Sequence, residues 1–355
     1  MPLTERENYL RNATFGGPEW MPCSITLSGA LWKYLREELE DVLVRHPVMY
    51  PGCEKGKRDF DAMDERHRVG KLVDSWGCVW ENAMDGVVGV VTGHPLECWD
   101  AFDEYEPPDP RQFDHLAPID WDGRLNALRR QKQNGALTQG VITHGFLYMR
   151  LTYLRGFENF LMDVASDDPR LPELVSVVEQ FNRYFVDQYL SVGVDVMHFG
   201  EDLGTQRASI LSPEQFRTWL APSYRRLMRP ARAAGSQVFL HSDGHIMDIM
   251  DQLIDCGVTI INPQDLVNGI DNLAREVKGR VCIRLDVDRQ SVVPFGTPRE
   301  VHDLVGEGVR KLGSPEGGLE LICAIYPPAP PENVDALISA MEEFRTYWFD
   351  GRAKP

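Results

Sequence analysis

The sequence lacks the features that mark secreted, membrane-spanning or nucleic-acid-binding proteins. No apolar run approaches the roughly 20 residues that a helix needs to cross a bilayer, and residues 1–24 lack the basic start and apolar middle of a secretory signal. Basic residues are scarce: 37 lysines and arginines stand against 54 acids, which gives a net charge of -17. This charge argues against nucleic acid or an anionic membrane as the main partner.

Paired cysteines and phosphate-binding loops are also missing. The seven cysteines are scattered without a C-x-x-C pair, and their odd number argues against a disulfide framework. We therefore expect a reduced, cytoplasmic setting. No glycine-rich phosphate loop follows any of the strand-like runs, so the sequence gives no sign of a nucleotide-binding sheet.

What is present is a regular alternation of strand and helix patterns over residues 136–355, after an irregular, decorated section over 1–135. Six apolar runs read as strands, each followed by a helix pattern, and they lie at 141–143, 194–199, 238–240, 258–261, 281–285 and 319–322. Successive strand–helix units predict a parallel sheet.

Local signals mark turns and helix starts. Two strand-like pieces between 73 and 91 lie around Asp85-Gly86, a dipeptide typical of hairpins. Capping boxes at 212–215 and 297–300 predict helix starts, and Pro222 should kink the first of these helices or split it in two.

The alternation favours one α/β domain over 1–355, a TIM (β/α)8-type barrel with an N-terminal extension. Such a barrel needs two more strands from the first third of the chain, and one of them is predicted near 22–27. A doubly wound open sheet is the alternative that the pattern leaves open.

Polar side chains recur where the predicted strands end. Because parallel strands present their carboxyl ends on one face, and because that face is catalytic in such barrels, these groups should converge there. The side chains concerned are His144, Glu201, Asp202, His241, Asp243, Asn262, Asp286, Asp288 and Cys323.

His241 and Cys323 form the sharpest pair in this set. A thiolate and a neutral imidazole suit zinc, and a catalytic zinc has three protein ligands and one open position. Asp243 or Glu201 would be the third ligand. The alternative interpretation makes Cys323 a small buried hydrophobic residue and His241 a core histidine bonded to a backbone carbonyl.

Glu201 and Asp202 are neighbours, so a regular strand would point them in opposite directions. At a strand-to-loop junction both can line a pocket, where one would bind metal or substrate and the other act as general acid or base. The alternative is a carboxylate that caps a helix or a loop. Tyr326 opens the stiff proline-rich loop at 326–331, which either forms a pocket wall or only starts the last helix.

Several motifs resemble the uroporphyrinogen decarboxylase superfamily, in particular its corrinoid-linked methyltransferase branch. They are GEDLGTQ at 200–206, SPEQF at 212–216, HSDG at 241–244, GV at 257–258 running to NP at 262–263, PFGTPREV at 294–301 and PPEN at 330–333. Trp76-Gly77 and the stretch 99–110 are similar to that branch as well. The motifs are fairly specific for the superfamily and much less specific for substrate.

The resemblance implies a TIM-type barrel, often a homodimer, with its pocket at the strand carboxyl ends. In the thiol methyltransferases of this branch, a His-x-Cys pair and a later cysteine hold zinc, and the matching positions here are His241, Asp243 and Cys323. A carboxylate thus replaces the middle thiolate, which makes the site harder and weakens the case for a thiol acceptor. An O- or N-methyl substrate, with zinc polarising the heteroatom, fits better.

We therefore expect a zinc-dependent methyltransferase that exchanges a methyl group between a small substrate and a corrinoid. No Asp-x-His-x-x-Gly motif for cobalamin occurs in the chain, so a partner protein would carry the corrinoid. Glu201 and Asp202 are the expected catalytic residues. The side chains expected to bind substrate are His144, Gln206, Asn262, Asp286 and Tyr326.

Two other functions remain open at this level. One is a metal-free acid–base decarboxylase or lyase of the same superfamily, although the arginine-rich substrate motif of the decarboxylase itself is not found near the N-terminus. The other is a barrel that binds a small ligand without turnover, because a fold does not fix a function.

Overall fold

The structure is a computed structural model, and it describes residues 2–351. The strands are β1 Cys23–Leu27, β2 Gly70–Val73, β3 Val79–Asn82, β4 Val90–Gly93, β5 Gln139–Val141, β6 Val196–Glu201, β7 Gln237–Ser242, β8 Ile260–Pro263, β9 Cys282–Asp286 and β10 Leu319–Ile325. The helices of the first half are α1 Glu5–Ala13, α2 Gly29–Leu35, α3 Glu37–Leu43, α4 Trp121–Gln133, α5 Tyr148–Arg155, α6 Phe157–Ser166 and α7 Leu171–Ser191. Those of the second half are α8 Pro213–Gln215, α9 Ala221–Ala233, α10 Met250–Cys256, α11 Asp265–Asn268, α12 Ile270–Glu276, α13 Val292–Phe295, α14 Pro298–Leu312 and α15 Pro331–Phe344.

The chain divides into two compact units, which we call unit 1 and unit 2. Unit 1 comprises the residues up to Gly70, Asn82–Gly89, and the residues from Pro263 onward. Unit 2 comprises Lys71–Glu81 and Val90–Asn262. The predicted single domain over 1–355, with sections 1–135 and 136–355, stays a prediction.

Unit 2 carries neighbouring strands in the order β5, β6, β7, β8. β5 pairs with β6 in parallel, and β6 pairs with β7 in parallel from Val196 opposite Gln237 to Glu201 opposite Ser242. Nearly every residue of β6 and β7 is buried. This burial explains why both segments read as continuous apolar runs rather than alternating ones.

Unit 1 carries neighbouring strands in the order β1, β10, β9, again in parallel. β1 confirms the strand predicted near 22–27. Among the parallel strands that the structure describes, the second strand expected from the N-terminal third has no counterpart. Helices α14 and α15 bury apolar side chains such as Val301, Val309, Leu337 and Met341.

Local turn and cap signals in the sequence are confirmed. The two predicted strand pieces around Asp85-Gly86 are the antiparallel pair β3 and β4. Ser212 caps α8, with its Oγ accepting from Gln215 N at 3.2 Å, and Thr297 caps α14 in the same way. A π-helical turn over Phe216–Leu220 then separates α8 from α9, which has Pro222 in its first turn, so the predicted split near this proline is found.

The strand boundaries differ from the sequence prediction by up to three residues, and two of the differences change the position of a candidate site residue. The strand predicted at 141–143 lies at 139–141, so His144 follows it by three residues rather than closing it. The strand predicted to end at Cys323 continues to Ile325, which places this cysteine inside β10. Strand ends are hard to read because a buried loop residue and a buried strand residue look alike in sequence.

Within residues 2–351, none of the helices is both long enough and apolar enough to cross a membrane.

Candidate functional site

The end of β6 separates two adjacent carboxylates. Glu201 is the last strand residue and lies opposite Ser242 of β7, while Gly200 lies opposite His241. Because side chains alternate along a strand, Glu201 and His241 belong to opposite faces of the sheet. Asp202 comes directly after the strand and turns towards the face of His241.

Glu201 caps the first turn of α5. Its carboxylate accepts hydrogen bonds from the backbone N–H groups of Leu147, Tyr148 and Met149 at 2.5, 2.8 and 3.0 Å. The side chain is fully buried, and this burial raises the pKa of Glu201 to about 7 despite the three bonds that favour the charged form. The residue therefore supports the helix that follows His144.

Asp202 lies between two imidazoles. His144 Nε2 is 3.2 Å from Asp202 Oδ1, and His241 Nε2 is 3.8 Å from the same oxygen. Burial alone would raise the pKa of Asp202, but the hydrogen bond and charge of His144 and the charge of His241 lower it below the ordinary value. Burial likewise works against protonation of His144, yet Asp202 raises the pKa of that ring overall. The carboxylate is thus held ionised beside two nitrogen donors.

Gly200 makes this arrangement possible. A Cβ atom at this position would lie 2.8 Å from His144 Cδ2, closer than side-chain carbons approach one another. The two rings of His144 and His241 have centroids 5.5 Å apart. Glycine at position 200 therefore leaves room for the ring of His144 at the end of β6. Gly200 is part of the GEDLGTQ motif at 200–206, but its closeness to His144 could not be predicted from the sequence.

Asn262 fixes the tautomer of His241. The His241 Nδ1 to Asn262 Oδ1 distance is 2.8 Å, and since an amide oxygen only accepts, Nδ1 carries the proton. The Nε2 lone pair then faces Asp202 and also Asp243, whose Oδ1 lies 3.4 Å away. Burial lowers the pKa of His241, so the neutral ring needed for metal binding is favoured.

Two glycines hold the loop that carries Asp243. Gly244 has φ of +81°, and a Cβ there would collide with the backbone of Gly204. Gly204 N donates to Asp243 O at 3.2 Å, and His245 N donates to Thr205 O at 2.7 Å. The loops after β6 and β7 are thereby joined backbone to backbone, which positions Asp243 beside His241.

His144, Asp202 and His241 can hold a metal ion together. One ligand atom from each lies within 4.8 Å of the other two. Two imidazoles and a carboxylate are donors that zinc accepts, and Asn262 supplies the outer hydrogen bond that metal-bound histidines usually make. We call His144, Asp202, His241 and Asp243 the imidazole–carboxylate cluster. The donor set fits zinc.

Cys323 is placed differently. It is fully buried, and burial raises the pKa of its thiol well above the ordinary value. Alternation along β10 puts it on the face opposite Glu320, which lies 3.7 Å from Arg284 of β9. Among the described residues, Cys323 belongs to no group of three metal-capable side chains whose ligand atoms lie within 4.8 Å of one another.

The remaining residues predicted to bind substrate lie at strand ends or just beyond them. Asp286 closes β9, is buried, and accepts from Arg289 Nη1 at 3.0 Å. Tyr326 follows β10 and is 42% exposed, while Gln206 is exposed in the loop after β6. His144 and Asn262 were expected to contact substrate, and the structure makes them a metal-capable ligand and the hydrogen-bond partner of His241.

A second group of carboxylates occurs in unit 1, where Asp265 comes shortly after β8, Asp286 closes β9 and Asp288 follows β9. We call these three residues the carboxylate cluster. Asp265 is buried and accepts from Leu266 N at 2.6 Å and from Asp288 N at 3.1 Å. Burial first, and then the charges of Asp288 and Asp286, raise the pKa of Asp265 to about 7. Sequence reasoning missed Asp265, because an Asp after a short strand is also typical of a helix start.

Comparison with known proteins identifies the family. The sequence profile of the uroporphyrinogen decarboxylase (URO-D) family matches residues 85–344, well over half of the chain. The chain belongs to this family.

The curated proteins to which the chain is similar include methyltransferases. Over 164 residues, 45% of each chain, it is 24% identical to the methylcobamide:CoM methyltransferase MtaA of Methanosarcina barkeri. The same enzyme from Methanosarcina barkeri strain Fusaro is 25% identical over 164 residues, again 45% of each chain. The matched segment thus spans about half the length of these relatives.

The fold matches a solved methyltransferase structure from Methanosarcina mazei. The TM-score is 0.62 over 96% of this chain and 98% of that chain, at 18% sequence identity. Together with the parallel strands and the helices between them, this likeness confirms the predicted α/β fold class of TIM-barrel type.

Proposed function

We propose that this chain is a zinc-dependent methyltransferase that moves a methyl group between a small O- or N-methyl substrate and a corrinoid carried by a partner protein. Membership in the URO-D family and similarity to methyltransferases support the reaction class. The proposal includes a homodimer acting in the reduced setting of the cytoplasm, which agrees with the seven free thiols.

The imidazole–carboxylate cluster carries the proposal. We assign zinc to His144, Asp202 and His241, because these three side chains meet within 4.8 Å of one another. Three protein ligands leave one open position, as in other catalytic zinc sites. Cys323 stays outside this ligand set, which differs in that respect from the sequence-predicted set of His241, Asp243 and Cys323.

A ligand set without thiolate favours a substrate that binds through oxygen or nitrogen. A zinc ion bound there would supply a Lewis acid that polarises the heteroatom bearing or receiving the methyl group. Asp243, 3.4 Å from His241 Nε2, lies beside this position and takes or returns the proton of that heteroatom.

Glu201 and Asn262 support this chemistry without touching the substrate. Glu201 holds the first turn of α5 through three backbone N–H groups and so fixes the segment that follows His144. Asn262 keeps the Nε2 lone pair of His241 directed at the metal position. Both therefore act as positioning residues in the proposal, and Asp202 is the one of the two predicted catalytic carboxylates that reaches the site.

Elemental analysis of the purified protein tests the metal. We expect about one zinc per chain in the wild type and almost none in His241→Ala, because the central ligand is lost. The matched control is His302→Ala, since this partly exposed histidine on α14 pairs with Glu343 and touches no residue of the cluster. The control should keep its zinc.

An activity assay tests the reaction. Methylcobalamin stands in for the corrinoid, and the change in its visible spectrum reports loss of the methyl group to an alcohol, amine or thiol acceptor. Transfer should depend on zinc and should fail in His241→Ala. A metal-free protein with full transfer activity would contradict the zinc assignment, and metal-independent release of carbon dioxide from a carboxylate substrate would favour a lyase instead.

A further inference from the structure

Unit 1 contains a cavity that none of the residues of the imidazole–carboxylate cluster lines. Its volume is about 690 Å³, within the range of about 300–1,000 Å³ that small-molecule sites occupy. β1 contributes Ile25 and Leu27 to the wall, and Trp32, Leu43 and Tyr50 complete most of its apolar surface. The cavity is therefore large enough and apolar enough to hold an organic molecule.

Glu40 places a buried carboxylate in the wall of this cavity, whose other charged residues are Glu54, Lys57 and Arg58. The side chain lines the cavity and belongs to a residue that is only 3% exposed. Glu40 Oε2 accepts from Gly56 N at 2.9 Å, but Oε1 is buried and has no hydrogen-bond partner among the described residues. Because a buried acceptor without a partner costs free energy, a ligand that brings a donor to Oε1 gains affinity.

The charges at the rim do not compensate Glu40. Lys57 pairs with Glu54 at 3.9 Å, and both side chains are largely exposed. The guanidinium of Arg58 lies over the ring of Trp32, 4.1 Å from its centroid. Within residues 2–351, no basic side chain lies within 4.0 Å of the Glu40 carboxylate. The interior of the cavity thus offers an uncompensated negative charge to a cation.

We propose that this cavity binds a small organic ammonium compound, with its apolar body against the wall formed by Ile25, Leu43 and Tyr50 and its N–H group donating to Glu40 Oε1. A cationic donor suits this oxygen better than a neutral one, because charge-assisted hydrogen bonds are about twice as strong. The aromatic ring of Tyr50 favours a cation further. The inference does not rest on the methyltransferase proposal, because it uses none of the cluster residues.

Three probes with one shared apolar body test the proposal by calorimetric titration of the full chain. They are tryptamine, tryptophol and indole-3-propionate, which carry an ammonium, a hydroxyl and a carboxylate respectively. We expect tryptamine to bind one molecule per chain and at least about tenfold more tightly than tryptophol, with the carboxylate weakest.

Two carboxylate variants locate the effect. Glu40→Gln keeps an acceptor for Gly56 N and should remove the preference for tryptamine. Glu54→Gln makes the same change of charge at the exposed rim and should keep that preference, and thermal unfolding checks that both variants fold. His241→Ala should bind tryptamine as the wild type does, which separates this site from the metal cluster.

Three results would overturn the inference. Absence of saturable tryptamine binding to the wild type is one, and equal binding of all three probes is another. The third is a preference for tryptamine that survives in Glu40→Gln but disappears in His241→Ala, because the amine would then bind at the cluster.

Discussion

The imidazole–carboxylate cluster of unit 2 and the carboxylate cluster of unit 1 both follow parallel strands, yet their acids behave in opposite ways. Asp202 lies beside two histidines, whose hydrogen bond and charges lower its pKa against the effect of burial. Asp265 lies beside Asp286 and Asp288, and burial together with their charges raises its pKa to about 7. The neighbours decide whether a carboxylate at a strand end stays ionised or keeps a proton.

This difference separates two kinds of site. An ionised carboxylate beside two imidazoles is a ligand set for a cation. A buried carboxyl group that keeps its proton near neutral pH is suited to donate a hydrogen bond or exchange a proton. The metal proposal therefore belongs to unit 2, whose cluster is the one that contains histidines.

The largest expected effect concerns the adjacent residues Glu201 and Asp202, since the pKa of Glu201 is raised while that of Asp202 is lowered. Glu201→Ala should lower the free energy of unfolding by about 2–4 kcal/mol, because it leaves three buried N–H groups of the first turn of α5 without an acceptor. Asp202→Ala should cost less than about 1 kcal/mol, because its pairing with His144 is part-exposed. Urea unfolding in the presence of a chelator measures both. Equal losses would contradict the assignment of Glu201 as the helix cap.

The next effect concerns the pH dependence set by Asp265. Its pKa is about 7 in the folded chain against an ordinary value of 3.8, so the folded state keeps the proton to higher pH. Its contribution to stability is complete below about pH 4 and is lost as the pH rises through about 7, which amounts to a few kcal/mol at about 1.4 kcal/mol per pH unit. Asp265→Asn should flatten the decrease in unfolding free energy between pH 4 and 7.

Denaturation series at several pH values check this prediction. The matched control is Asp271→Asn, since Asp271 is an exposed acid on the nearby helix α12 of the same unit. The control should keep the wild-type slope. A slope that Asp265→Asn leaves unchanged would mean that other groups cause the pH dependence.

The smallest expected effect concerns Asn262. Asn262→Leu removes the acceptor of His241 Nδ1 and should weaken zinc binding by about 10- to 100-fold, as loss of an outer-shell partner usually does. Asn262→Asp keeps an acceptor at that place and should retain the affinity. Competition with a chromophoric chelator measures both constants, and equal weakening in the two variants would show that Asn262 acts through packing.

Much of the fold could be read from the sequence. The apolar runs predicted β6, β7 and β9 because these strands are buried on both faces, and the capping boxes at Ser212 and Thr297 predicted helix starts because caps depend on residues only three apart. The ends of β5 and β10 were missed because the pattern of burial does not stop where hydrogen bonding stops.

The candidate site was only partly predictable. The sequence pointed to His241, Asp243, His144 and Asp202, because polar residues after buried strands are rarely incidental. It did not separate Glu201 from Asp202, whose roles depend on which face each side chain reaches. Two further features could not be predicted from any local pattern, because each involves residues distant in sequence. They are the close approach of position 200 to His144 and the cavity lined by Glu40.

The sequence by itself determined the order of strands and helices, the acidic character of the chain and the supply of metal-capable side chains at the strand ends. Periodicity and capping depend on residues close in sequence, and composition does not depend on the fold, so all three can be read from the sequence. The tertiary structure alone decided that two imidazoles share the oxygen of Asp202, that Glu201 is enclosed by backbone amides, and that Cys323 faces away from Glu320. These outcomes depend on strand register and on burial, which exist only once distant segments have packed together.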